Sequence, residues 1–351
     1  EGWGRLDAGY LEFLDDLKQD RDPSVLVGAN DGMLHAFDAT ESGGEELFAY
    51  VPSMVHDRLP ALADPDYVHK FYVGWNTVAV GGLGGGGRGI YAVNITDPNN
   101  FSTGDVLWEV TADDDSDIGH VYDEPIVTRL PDGAWVAIFA NGFNSDDDQA
   151  HLFVVDLKSG AIKQKLPLGD AGDNGLASTA ALIDPQTRLF TRRVYAGDLE
   201  GNMWAIEFND SGSASSRITG GPLINVGRPL VSPPVLAPNP GGGLMVFFGT
   251  GKLIETSDRL QTDPPLEQFF AVRDQGSALN ISDLGKASAS GSGSNITVTG
   301  PSDISDGWRL ELAEGGTANG ERVLARPQVV FGQLIFTTFE PQDDICEALG
   351  I

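Results

Sequence analysis

What most constrains the fold of this chain is a unit that recurs, in degraded form, every fifty to sixty residues. A short β-rich run ends at Gly or Asn-Gly, a turn follows, and a second apolar strand leads into an Asp-centred turn. The clearest copy runs from Val25 to Asp38 (VLVGANDGMLHAFD), and four more begin at Val78, Val136, Val194 and Val246. Successive starts differ by 53, 58, 58 and 52 residues. That is slightly longer than the roughly forty to fifty residues of common propeller blades, and it points to radial repetition with long loops. Asn-Gly, Asp-Gly and Gly-Gly between alternating apolar and polar positions mark hairpins, because they supply the positive φ that tight turns need. A second class of strand, led by Pro, precedes several hairpins: Glu124–Thr128, Pro233–Leu236 and Arg326–Val330. Pro fits the start of a strand, where its missing N–H breaks no ladder. The expectation is an all-β chain built as a modified β-propeller. Five to six units are readable, the partial sixth at Ile335–Phe339, with a few short peripheral helices.

Two helices are expected. Leu6, Tyr10, Leu14 and Leu17, with Leu11 beside them, form one helical stripe that stops at Pro23, so residues 1–23 read as a helical lead-in. A second helix is expected from about Ser53 to Leu62. The repeats then run nearly end to end, and residues 24–351 read as a single propeller domain. The Ser/Gly-rich stretch 285–300 reads as a flexible insertion between blades. The segment between His69 and Gly74 is short for the strand expected before Trp75.

The formal charge of −29 and a pI near 4.2 exclude nucleic acid as a partner, since phosphate binding needs clustered Lys and Arg. An anionic membrane surface is excluded on the same ground. No apolar run reaches the eighteen or so residues of a membrane-spanning helix, and the opening Glu-Gly-Trp is neither an initiator Met nor a signal peptide. The chain therefore reads as a piece of a longer protein. Cys346 is the single cysteine, so no internal disulfide is expected; it is either half of a bridge to a cysteine outside the chain or a free thiol.

The chemistry-bearing motifs are few. Gly81–Gly89 (GGLGGGGRG) leads into the strand Ile90–Val93 rather than opening a helix, so it is a crowded turn and not a phosphate loop, and Arg88 within it is placed to brace neighbouring blades. Two acidic loops offer oxygens to a cation: Asn144, Asp146 and Asp148 in one, and Asp113, Asp115 and Asp117 in the other. The first lacks the closing Glu of an EF-hand and the second its central Gly. Solvated turns are the plainer reading of both. The Asn141-Gly142-Phe143-Asn144-Ser145 word reads as turn chemistry. No catalytic residues can be nominated.

In series, VLVGANDGMLHAFDA, ELFAYVPSMV, VGGLGGGGRGIYAVNITDP, WVAIFANGFNS with LFVVDLKSG, VYAGDLEGNMWAIEF and FFGTGKLIETSD closely resemble the C-terminal domain of the PilY/PilC family, over residues 24 to 340 or so. The resemblance implies seven propeller blades and a non-enzymatic type IV pilus biogenesis factor and tip adhesin, which opposes pilus retraction and supports twitching, adhesion and surface sensing. The partners it implies are minor pilins and the pilus tip complex, a host or abiotic surface, and the N-terminal region of the same full-length protein. Nucleic acid and membrane insertion are not among them. It implies export through the periplasm to the outer membrane and pilus tip of a Gram-negative-type bacterium. Several members carry a calcium loop directly before the YAGDLxGNxW strand. Here that position, residues 184–193, keeps only Asp184 and holds Arg188, Arg192 and Arg193, so no calcium is expected there and no cofactor is expected overall. Two alternatives stand beside this reading. One is a quinoprotein-like propeller dehydrogenase, suggested by the turns after Asp38 and Asp156; the other is a generic extracellular propeller scaffold.

Overall fold

The computed structural model describes residues 21–28, 33–52, 76–184, 190–239, 242–259, 264–292, 295–313, 317–341 and 349–350. Almost all of the lead-in helix, the helix expected at 53–62, the 69–74 segment and Cys346 lie outside the described residues.

Among the described residues, seven sheets follow one another along the chain. The first contains β1 (Ser24–Gly28), β2 (Leu34–Asp38) and β3 (Glu46–Tyr50). The second contains β4 (Val78–Gly82), β5 (Gly89–Asn94) and β6 (Val106–Thr111). The third is β7 (Ile126–Arg129), β8 (Trp135–Ala140), β9 (Ala150–Asp156) and β10 (Ile162–Leu168). The fourth is β11 (Leu176–Ile183), β12 (Thr191–Asp198), β13 (Asn202–Phe208) and β14 (Ala214–Ser216), with β15 (Ile224–Asn225) also on β13. The fifth comprises β16 (Val235–Pro238), β17 (Leu244–Gly249), β18 (Glu267–Asp274), β19 (Gly285–Ser292), β20 (Asn295–Thr299) and β21 (Gly307–Leu312). Two short ladders complete the set: β22 (Gln328–Val330) with β23 (Gln333–Ile335), and β24 (Phe339–Glu340) with β25 (Leu349–Gly350). All five expected hairpins are present, as β1/β2, β4/β5, β8/β9, β12/β13 and β17/β18, each antiparallel. The Pro-led segments become β7, β16 and β22, and these first strands, with β11, contact one another in chain order. This radial arrangement is a β-propeller.

Two expectations are corrected. The 285–300 insertion falls within a blade rather than between blades: β18 pairs with β21 across it, and β19 pairs antiparallel with β20 and parallel with β21, extending the fifth sheet. The alternating polar pattern also fails on the central strands, where β5 is buried along its whole length and β9 along all but its last residue. The physical reason is that both faces of a blade are covered. Val136, Ile138 and Ala140 of β8 pack with Val194, Ala196, Trp204 and Ile206 of the following sheet. The alternate residues Ala137 and Phe139 pack with Ile90, Ala92 and Trp108 of the preceding one. The same division recurs at β12 and β13, where Tyr195, Met203 and Ala205 face Val246, Phe248 and Phe270 of the fifth sheet. Period-two alternation here sorts apolar side chains between two neighbours rather than between core and water. Each large side chain so buried contributes about 1.5–3 kcal/mol.

Candidate functional site

The structure brings the two sequence-nominated acidic loops together. Loop 113–117 follows β6, and loop 144–148 lies between β8 and β9. The backbone N–H of Asp146 donates to the Ser116 carbonyl at 3.1 Å, and the Asn141 side-chain amide donates to the Asp117 carbonyl at 2.9 Å. Arg88 spans the junction: its Nε donates to the Ile118 carbonyl at 2.9 Å, one terminal nitrogen to the Ser116 carbonyl at 2.6 Å, and the other to Asp146 at 2.7 Å. The expected bracing role of Arg88 is thereby located. Glycine at 142 is required here, because its φ is +77° and an added Cβ would lie 2.0 Å from the His120 carbonyl oxygen.

Lys165 of β10 reaches the same place, bonding Asp115 at 2.8 Å and also meeting Asp117. His151 of β9 stands beside them with its Nε2 at 3.8 Å from an oxygen of Asp117 and from one of Asp147. Asn144 and Asp148 adopt left-handed backbone conformations and are exposed, as is Asp113; none of the three joins this group. Asp147, His151 and Lys165 were not singled out by sequence reasoning. Asp147 was visible only as part of an acidic run, and no local spacing ties Lys165 to a loop 50 residues earlier.

A second candidate is a cavity of about 510 Å³ at one end of the ring of first strands, lined in part by Tyr122, Asp123, Phe143, Leu253, Ile254 and Arg326. Tyr122 is 60% exposed beside it. The Asp123 side chain is buried and accepts from the Thr179 hydroxyl at 3.0 Å and from the Thr179 backbone N–H, while Arg326 approaches to 4.0 Å. Burial lifts the Asp123 carboxyl to about 6, against the lowering effect of those contacts. The folded protein then holds a proton that the unfolded chain has released between about pH 4 and 6, so this group's stabilising contribution is lost as pH rises through 6. Asp123→Asn, which keeps the acceptor oxygen, is expected to gain stability over the native chain at pH 7, by at most about 3 kcal/mol, and to lose that advantage near pH 4. Urea unfolding of both proteins at pH 4, 5 and 7 checks this; a difference that does not change with pH would refute it.

At the third position, 184–193, the side chain of Asp184 faces Arg192 at 3.7 Å, and Arg192 also bonds Asp210 at 2.8 Å and covers the Phe190 ring. The described residues do not fit a calcium cage there: the one carboxylate the loop retains is paired with a guanidinium, and Arg193 follows.

A sequence profile of the PilY1 beta-propeller domain matches residues 6–281. The type IV pilus biogenesis factor PilY1 of Pseudomonas aeruginosa PAO1 is 31% identical over 97% of this chain. The chain belongs to the PilY1 propeller family. A PilY1 homolog of Xylella fastidiosa is 33% identical over 90% of the chain. The crystal structure of the P. aeruginosa PilY1 C-terminal domain superposes with a TM-score of 0.78 at 28% identity, covering 95% of this chain and 79% of that one. The chain spans only 24% of the length of the Xylella homolog and 35% of that of PAO1 PilY1. Two words that carry the PilY resemblance meet at the cavity: the Asn141–Ser145 word supplies Phe143, and the Gly249–Asp258 word supplies Leu253 and Ile254. The second word is held by Asp258, which accepts the N–H groups of Ile254 and Glu255 at 2.9 Å each, while buried Arg322 donates to the Lys252 and Asp258 carbonyls.

Proposed function

We propose that this chain is the propeller domain, residues 24–351, of a type IV pilus biogenesis factor and tip adhesin. It works by protein contact rather than catalysis. The observation that carries the reading is kinship with PilY1 proteins across nearly the whole chain, at the level of sequence and of fold. Its partners are minor pilins at the pilus tip, a host or abiotic surface, and the N-terminal region of the longer protein; its place is the cell surface. No helix among the described residues is long and apolar enough to cross a membrane. In this reading the domain opposes pilus retraction without calcium at 184–193, where the sequence keeps one carboxylate, Asp184, beside Arg188, Arg192 and Arg193.

Deleting residues 24–351 from the full-length protein in its own bacterium is expected to abolish surface pili and twitching. Removing the retraction motor as well is expected to restore the pili. Wild-type piliation and twitching in the deletion strain would sink the reading.

A further inference from the structure

We propose that Asp117, Asp147 and His151 form a binding site for a divalent transition-metal ion, zinc being the ion to test first. The three donor atoms all lie within 4.8 Å of one another. The decisive group is His151, whose side chain is 4% exposed. Its Nδ1 is 3.2 Å from the Gln149 carbonyl oxygen. A carbonyl only accepts, so Nδ1 carries the hydrogen, and Nε2 is the nitrogen left to offer a lone pair to a metal. Nε2 lies 3.8 Å from Oδ2 of Asp117 and 3.8 Å from Oδ2 of Asp147, beyond hydrogen-bonding distance. The Lys165 ammonium compensates this group from the Asp117 side, whereas a divalent ion among the three atoms would neutralise both carboxylates and engage the ring nitrogen as well. A backbone carbonyl on the far ring nitrogen is also the arrangement that orients metal-ligating histidines. Asp147 is fixed too, its other oxygen accepting from the Ser145 hydroxyl at 3.0 Å and the Gln149 N–H at 3.2 Å.

One imidazole nitrogen and two carboxylates suit zinc or a neighbouring first-row ion; calcium takes six to eight oxygens. Lys165 is the resident competitor, because its ammonium touches the same Asp117 oxygen that faces His151. Its bond to Asp115, 2.8 Å here, gives it a second partner to keep if the ion takes Asp117. The ion would tie the loop after β6 to the loop between β8 and β9, linking the second and third sheets.

The test is calorimetric titration of zinc chloride into the chelator-treated 351-residue chain, with melting curves alongside. One ion per chain at micromolar affinity or tighter, with a raised melting temperature, is expected. Asp147→Asn and His151→Gln are expected to weaken binding at least about tenfold, and Lys165→Met to tighten it. Should His151→Gln fail to fold, the more exposed Asp147→Asn carries the test. Absence of saturable binding, or zinc affinity unchanged in Asp147→Asn, overturns the site; zinc bound no more tightly by Lys165→Met overturns the placement of the ion. Calcium in parallel is expected to give no micromolar binding, and tight calcium binding lost in Asp147→Asn would overturn the choice of ion.

Discussion

Asp198→Ala is expected to remove on the order of 4 kcal/mol of stability, a large part of the roughly 5–15 kcal/mol that holds a typical domain folded. Asp198 ends β12 and is fully buried. One carboxylate oxygen accepts the Asn202 backbone N–H at 2.8 Å. The other accepts the Asn202 side-chain amide at 2.9 Å, the Asn174 amide at 3.2 Å and the Trp204 indole N–H at 2.8 Å. Truncation strands four buried donors at once, and each unsatisfied group costs about 1–3 kcal/mol. Asp198→Asn rescues the site only in part, because with its oxygen turned to the three donors its NH₂ group faces the Asn202 backbone N–H, which it cannot accept. The damage reaches the core, since Trp204 packs between the third and fourth sheets. Urea unfolding followed by tryptophan fluorescence measures it; a loss below about 1 kcal/mol would mean that water takes over these donors.

Asp274→Ala should cost about 3–5 kcal/mol, the range for leaving a buried charge without its partner. Asp274 closes β18 with its side chain fully buried. It accepts the Tyr195 hydroxyl, Arg217 Nε at 3.1 Å and the Gly276 N–H at 2.8 Å, with Arg193 at 3.9 Å. Arg217 also holds Glu207 at 3.1 Å. Two cations and two carboxylates therefore balance across the boundary between the fourth and fifth sheets, and burial with the Asp274 bond pushes the Tyr195 hydroxyl well above its ordinary value. Without Asp274, Glu207 is the one carboxylate among the described residues left facing both guanidinium groups. Tyr195→Phe loses a single hydroxyl and should cost about 1 kcal/mol. Equal losses from the two substitutions in urea unfolding would contradict the clamp.

Much of this architecture was legible because its signals are local. Turn residues and strand composition located all five hairpins and the Pro-led first strands to within three residues. The alternation misled on β5 and β9, because a strand covered on both faces loses its polar side, and no single strand reports what lies opposite it. The Ser and Gly of 285–300 read as a loose insertion for a similar reason: their strand pairing depends on β21, which follows later in the chain. The acidic loops were visible as composition. That they share one junction with His151 and Lys165 was not, nor was the burial of Asp123 against Thr179, 56 residues away.

The sequence by itself determined the repeat, the order of hairpins and the PilY1 kinship, since these depend on turn geometry and on words read along the chain. The tertiary structure alone decided which charges meet. Asp123 with Thr179 and Arg326, Tyr195 with Asp274, and Asp117 with Asp147, His151 and Lys165 are set by blades packing face to face around an axis. Residues distant in the chain become neighbours there, and no periodicity within one blade records its partner in the next.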